Sequence, residues 1–132
     1  MRKLFFGRIA VGKSSVARKI SEAEGVDFVD CDKEVWNYYS GDKEETRGRF
    51  RRAIEEEDKE AYHSALRDFA SKVDWRSLMS RNANYEASVF GNFYNTGLIP
   101  KDIVDGFEIY KIMCYVETRI LNMKDRKLDP EW

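Results

Sequence analysis

Leu4-Phe5-Phe6 runs into Gly7, and Gly7-Arg8-Ile9-Ala10-Val11-Gly12-Lys13-Ser14 then reads glycine, four variable positions, glycine, lysine and a hydroxyl residue. No other stretch so narrows what the chain can fold into. The apolar run before it suits a buried strand that ends in a loop. After it the period changes: Val16, Ala17, Ile20 and Ala23 recur at three- and four-residue spacing, and Gly25 supplies a C-terminal stop. That pattern predicts a one-sided helix of about three turns. Val26-Asp27-Phe28-Val29 then reads as a second strand, ending at Asp30-Cys31-Asp32. Strand, glycine loop, helix and strand make a βαβ unit, whose strands run parallel.

Each fixed position of the loop has a physical task. Gly7 lets the chain leave the strand sharply, and Gly12 lets the backbone approach a ligand with no side chain in the way. Successive backbone N–H groups, from Ala10 and Val11 through Ser15, are placed to form an anion nest. Lys13 sets a cation against the outer phosphates, and the Ser14 hydroxyl can join a magnesium shell. The helix that begins there directs its positive end at the same anion. The expectation is therefore a site for ATP with magnesium running from Gly7 to Ser15. The competing reading is a loop that has lost its function, since Arg8, Ala10 and Val11 stand where such loops often carry further glycines.

Asp30 and Asp32 follow at the carboxyl end of the second strand, where ligands of open α/β sheets bind. In an extended segment residues two apart face the same side, so both carboxylates can converge on one site. Asp32 is expected to accept a proton from an attacking hydroxyl, and Asp30 to help hold magnesium. The alternative is that they cap a helix starting at Lys33-Glu34-Val35.

The remaining chain is read more coarsely. Its 132 residues fit one domain, and 42% hydrophobic with 14% aromatic residues can fill one core. A net charge of −1 argues against a general nucleic-acid coat, which needs a basic excess. Cys31 and Cys114 have no CxxC spacing, so neither a zinc site nor a disulfide framework is indicated. No stretch approaches the roughly 18 apolar residues of a membrane span, and the start lacks a secretory pattern, so a cytoplasmic protein without membrane contact is expected. Lys33 to Tyr39 predicts a short helix, and Glu44 to Val73 two helices bent near Glu55-Glu56-Glu57-Asp58. Tyr85 to Phe90 and Glu108 to Val116 are candidate strands, with a loop from Gly91 to Pro100, one helical turn over Lys101 to Gly106, and a last helix over Glu117 to Lys127.

The run GRIAVGKSS opening a helix, with VDFVDCD after it, resembles the nucleotide and small-molecule kinases of the P-loop class, and within them the dephospho-coenzyme A kinases, whose second strand also ends in Asp-x-Asp. Tyr115-Val116-Glu117-Thr118-Arg119 and Met123-Lys124-Asp125-Arg126 are similar to that family's fourth strand and the arginine-bearing helix leading into its lid. The resemblance implies a three-layer α/β fold with a parallel sheet of about four strands. It also implies phosphoryl transfer from ATP to a small-molecule acceptor, with Lys13 and Asp32 catalytic and Arg126, less firmly Arg119, reaching in from the lid. Residues 33–80 then form a helical acceptor-side insertion within one domain, residues 117–132 begin a lid, and Glu86 corresponds to an acidic residue near the acceptor. The family continues beyond the point matching Trp132, so either the protein is short or the sequence continues. A nucleoside or deoxynucleoside monophosphate kinase is the alternative within the class, and a non-catalytic nucleotide-binding regulator or assembly factor the alternative outside it.

Other residues invite a role beside a plainer one. Arg47, Arg49, Arg51 and Arg52 could clamp acceptor phosphates or could form a solvated face answering nearby glutamates. Trp36, Tyr38 and Tyr39 could wall an acceptor or pack their short helix. His63 reads as a helix-surface residue.

Overall fold

The computed structural model describes residues 2–7, 12–88, 97–113, 115, 117–118 and 121. Strand β1 (Arg2–Gly7) leads into helix α1 (Lys13–Glu24), and β2 (Asp27–Asp30) leads into α2 (Cys31–Glu34) and a 3-10 turn (Val35–Tyr38). Helices α3 (Lys43–Glu55), α4 (Lys59–Ser71) and α5 (Trp75–Leu78) then precede β3 (Ala83–Ser88), and α6 (Lys101–Val104) precedes β4 (Phe107–Lys111). The four strands are parallel in the order β2-β3-β1-β4. The α/β class and the parallel sheet of four strands agree with the sequence reading.

Side-chain alternation explains the layering. Leu4, Val29, Tyr85, Ala87 and Phe107 join Leu66, Phe69, Trp75, Leu78 and Ile99 in the main core, so α4, α5 and the approach to α6 cover one face. On the other face Asn84 Nδ2 donates to Ser21 Oγ of α1 at 3.2 Å, and Ala17 is fully buried. Moving from β1 to β2 places α1 on one face, whereas moving the opposite way from β2 to β3 and from β3 to β4 places helices on the other. Right-handed crossovers require this reversal. It creates a switch point between β1 and β3, and ligands of open α/β sheets bind at the carboxyl ends of strands at such a point.

Local chemistry sets the helix boundaries. Asp30, Asp42, Asp58 and Asp74 cap α2, α3, α4 and α5, each accepting a backbone N–H from its helix's first turn. The polar run Glu55 to Asp58 does break the long helix: α3 ends at Glu55, Glu57 takes a φ of 53°, and Asp58 starts α4.

Three boundaries differ from the sequence reading. Because Asp30 caps, the helix starts at Cys31 rather than Lys33, and the chain is already helical at Asp32. The extended geometry that would turn Asp30 and Asp32 to one side is therefore not present. The third strand begins at Ala83, since polar Asn84 is buried with its Oδ1 accepting from Lys3 N at 3.1 Å. The last strand runs over Phe107–Lys111, and its predicted continuation includes Cys114 and Val116, which lie outside the described residues. No described helix is long and apolar enough to cross a membrane.

Candidate phosphate-binding site

β1 and β3 run side by side, with Phe5 in register with Glu86 and Gly7 with Ser88. Gly7 stays within the strand, and the left-handed conformation falls instead on Gly12, at φ 87°. Only glycine takes that conformation without strain, and no neighbour lies within 4 Å of a Cβ built there, so conformation and not space makes the requirement. Gly12 caps α1 with no side chain, and the first turn carries no acidic residue. Unlike the aspartate-capped helices, α1 leaves its amino-terminal N–H groups to another acceptor. Ser15 is exposed on its first turn.

Lys13 and Ser14 converge on one carboxylate. Lys13 Nζ lies 3.1 Å from Glu86 Oε1, with 9% and 6% of the two side chains exposed. Ser14 Oγ donates to the same oxygen at 2.6 Å. Glu86 Oε2 is buried and, among the described residues, accepts no hydrogen bond. A buried ion pair is weak as a source of stability, because desolvation offsets its attraction, and an orphaned carboxylate oxygen adds to that cost. The triad therefore fits a task other than holding the fold. A hard cation suits it: magnesium takes oxygen ligands, keeps several waters and uses few protein groups. Among the described residues no group of three or more His, Cys, Asp or Glu side chains is placed to hold a metal ion.

Asp30 ends β2 in register with Glu86, so the two carboxylate-bearing residues are neighbours across the ladder. One Asp30 oxygen is committed, since Oδ1 accepts from Asp32 N at 3.1 Å. Asp32 lies in the first turn of α2, half-buried. Its charge reaches Tyr62 of α4: burial first, then Asp32, pushes that phenol up to about 12. Between these carboxylates Cys31 is fully buried, and burial followed by Asp32, Asp30 and Glu86 raises its thiol well above the ordinary value.

Of the predicted site, the structure brings Lys13 and Ser14 together and places Asp30 beside their shared partner. Ala10, Val11, Arg119 and Arg126 lie outside the described residues. Glu86, which the resemblance suggested for the acceptor side, belongs with the lysine and serine. Its sequence signal was the one charged residue of the strand, set between Tyr85 and Ala87. Of the arginine cluster, Arg49 Nη1 pairs with Asp68 Oδ2 at 2.9 Å, and Arg47 lies over the Trp36 ring. Tyr39 packs inward and bonds Thr46 Oγ1 at 2.6 Å, so its role is structural. His63 is exposed.

A cavity of about 580 Å³ opens at the opposite, amino-terminal end of the sheet, lined by residues including Arg2, Glu24, Arg81 and Asn84. Its polar groups already serve the fold: Arg2 bonds the Met79 carbonyl, and Asn84 bonds Ser21 and Glu24.

No protein-family model matches the sequence, and no curated protein matches it either. Solved structures do. Shikimate kinase from Acinetobacter baumannii, in complex with shikimate, superposes with a TM-score of 0.57 at 15% identity over 96% of this chain. A sugar kinase from Janibacter sp. superposes with a TM-score of 0.52 at 15% identity over 98% of this chain. The chain spans 64% of the former's length and 70% of the latter's. Likeness at this identity establishes the fold, which is of the P-loop kinase type.

Proposed function

We propose that the protein is an ATP-dependent phosphotransferase acting on a small-molecule acceptor. One observation carries this reading: Lys13 and Ser14 meet on Glu86 at the open amino end of α1, beside an unpaired buried carboxylate oxygen. The neighbours' kinase activity supports it by analogy of fold.

In this reading the α1 amino end and Lys13 take the β- and γ-phosphates, and Gly12 lets them approach the backbone. Ser14, with the Glu86 and Asp30 carboxylates beside it, would hold magnesium, which would supply positive charge against the phosphates. Lys13 would exchange Glu86 for phosphate, which would free the Glu86 carboxylate to help hold the cation. Asp32 takes the proton of the acceptor hydroxyl as its oxygen bonds the γ-phosphorus and the bond to ADP breaks. Most of the rate enhancement is positioning and charge stabilisation. The sequence resemblance adds Arg126 as a lid cation, and it favours a dephospho-coenzyme A kinase-like reaction over a nucleoside monophosphate kinase.

The test is ADP release from magnesium-ATP across nucleosides, nucleotides, sugars, shikimate and dephospho-coenzyme A. Turnover dependent on one acceptor class is expected. ATP binding with no turnover on any acceptor favours the regulatory nucleotide-binding reading instead.

A further inference from the structure

The cavity at the amino ends of the strands takes no part in phosphate binding at Lys13. Arg2 opens β1 at this cavity, and Gly7 ends the strand on the phosphate side, roughly 16 Å away. A volume of about 580 Å³ is that of a pocket for a small metabolite. Its walls come from the start of β1, the turn after α1, the approach to β3 and the turn before β4, so the fold itself shapes it.

The charge within it is unbalanced. Half-buried Arg2 lays its guanidinium over Phe107, 4.5 Å from the ring centroid, and Nη1 donates to the carbonyl oxygens of Met79 and Arg81. Arg2 serves the fold through that nitrogen alone. Among the described residues Nε and Nη2 have no hydrogen-bond acceptor, and no carboxylate lies within ion-pair distance of Arg2. A Cβ on Gly106 would stand 4.0 Å from Arg2 Nη2 and 3.3 Å from the Ile103 carbonyl oxygen, so glycine there keeps a side chain off that nitrogen. Arg81 also lines the cavity, and its only carboxylate partner among the described residues is Glu34, at 3.7 Å. The one carboxylate of the lining, Glu24, is already answered: Lys3 Nζ pairs with Oε1, and Asn84 Nδ2 donates to Oε2 at 3.2 Å. Positive charge is left in excess.

We infer that this cavity binds a small anion, a metabolite whose carboxylate or phosphate group lies against Arg2 and Arg81. Guanidinium N–H groups suit two oxygens side by side, and Phe107 and Met79 fix the orientation of Arg2 before anything binds. A neutral polyol of the same size leaves Arg2 unanswered. The site is separate from the phosphate loop and stands whether or not the protein is a kinase.

Amide-resolved NMR on the isotopically labelled chain separates the two anion sites. Glycerol phosphate, malonate and glycerol are titrated in turn, the first two distinguishing a phosphate from a carboxylate ligand. Saturable shifts at the amides of Asn82 and Gly106 are expected with at least one anion and not with glycerol. Arg2→Gln is expected to abolish them and Arg81→Gln to weaken binding roughly tenfold. Lys13→Met is expected to leave them unchanged while removing any shifts at Gly12 and Ser14. Should Arg2→Gln fail to fold, Arg81→Gln decides alone. Shifts confined to the phosphate loop, an equal response to glycerol, an affinity that Arg81→Gln does not alter, or no saturable shift at tens of millimolar overturns the inference.

Discussion

Lys13 Nζ stands 3.1 Å from Glu86 Oε1, and the two side chains, from the start of α1 and the end of β3, shield each other from water. Removing one partner strands a buried charge. Glu86→Ala is expected to lower stability by about 3 kcal/mol. Urea denaturation at neutral pH measures it, and a loss well under 1 kcal/mol shows the pair is more solvated than its burial indicates. Glu86→Gln keeps the shape, and is expected to cost less stability while weakening magnesium-dependent ATP binding.

Asp30 combines a local task with a proposed one. Its side chain caps α2 through Asp32 N. Asp30→Ala is expected to cost about 1 kcal/mol, whereas Asn, which can also cap, retains most of the stability. If the second carboxylate oxygen contributes to the metal, Asp30→Asn still weakens magnesium-ATP binding. Unchanged magnesium dependence in this folded variant confines Asp30 to capping.

The Cys31 thiol is fully buried, and burial first, then the charges of Asp32, Asp30 and Glu86, disfavours its thiolate. Iodoacetamide at pH 8 is expected to leave Cys31 unmodified in the folded protein and to modify it in denaturant, read by peptide mass mapping. Rapid labelling of native protein at that residue contradicts this packing.

Acid stability follows two exposed carboxylates. A hydrogen bond from Lys3, then one from Asn84, lowers Glu24, and bonds from the Ser77 hydroxyl and backbone lower Asp74. A group depressed on folding stabilises above its unfolded pKa and loses that contribution as pH falls through the folded one. The urea midpoint is therefore expected to fall below about pH 4. Asp74→Asn is expected to flatten part of that decline; an unaltered profile assigns acid sensitivity elsewhere.

Periodicity and turn chemistry made much of this fold legible. The strand ending at Gly7 and the helix Lys13–Glu24 follow from local sequence, as does the break at Glu55 to Asp58. Strand order was not legible, because pairing between β1 and β3 joins residues about eighty positions apart through packing alone. Glu86 consequently found its partner only in the structure: nothing near it in sequence indicates that Phe5 lies alongside. Asn84 delayed the predicted start of β3, since its polarity resembles loop chemistry until Ser21, Glu24 and the Lys3 amide are seen to satisfy it. The Asp30–Asp32 spacing misled for the opposite reason, as a cap turned the chain helical one residue after the strand.

Magnesium-ATP titrated calorimetrically into the wild type and Lys13→Met tests the phosphate site most directly. Methionine keeps the apolar stem and removes the charge, and circular dichroism establishes that the variant is folded. Saturable binding to the wild type, weakened at least about tenfold in the variant, is the expected result. Equal affinity in the two folded proteins contradicts the assignment of Lys13 and its loop to phosphate.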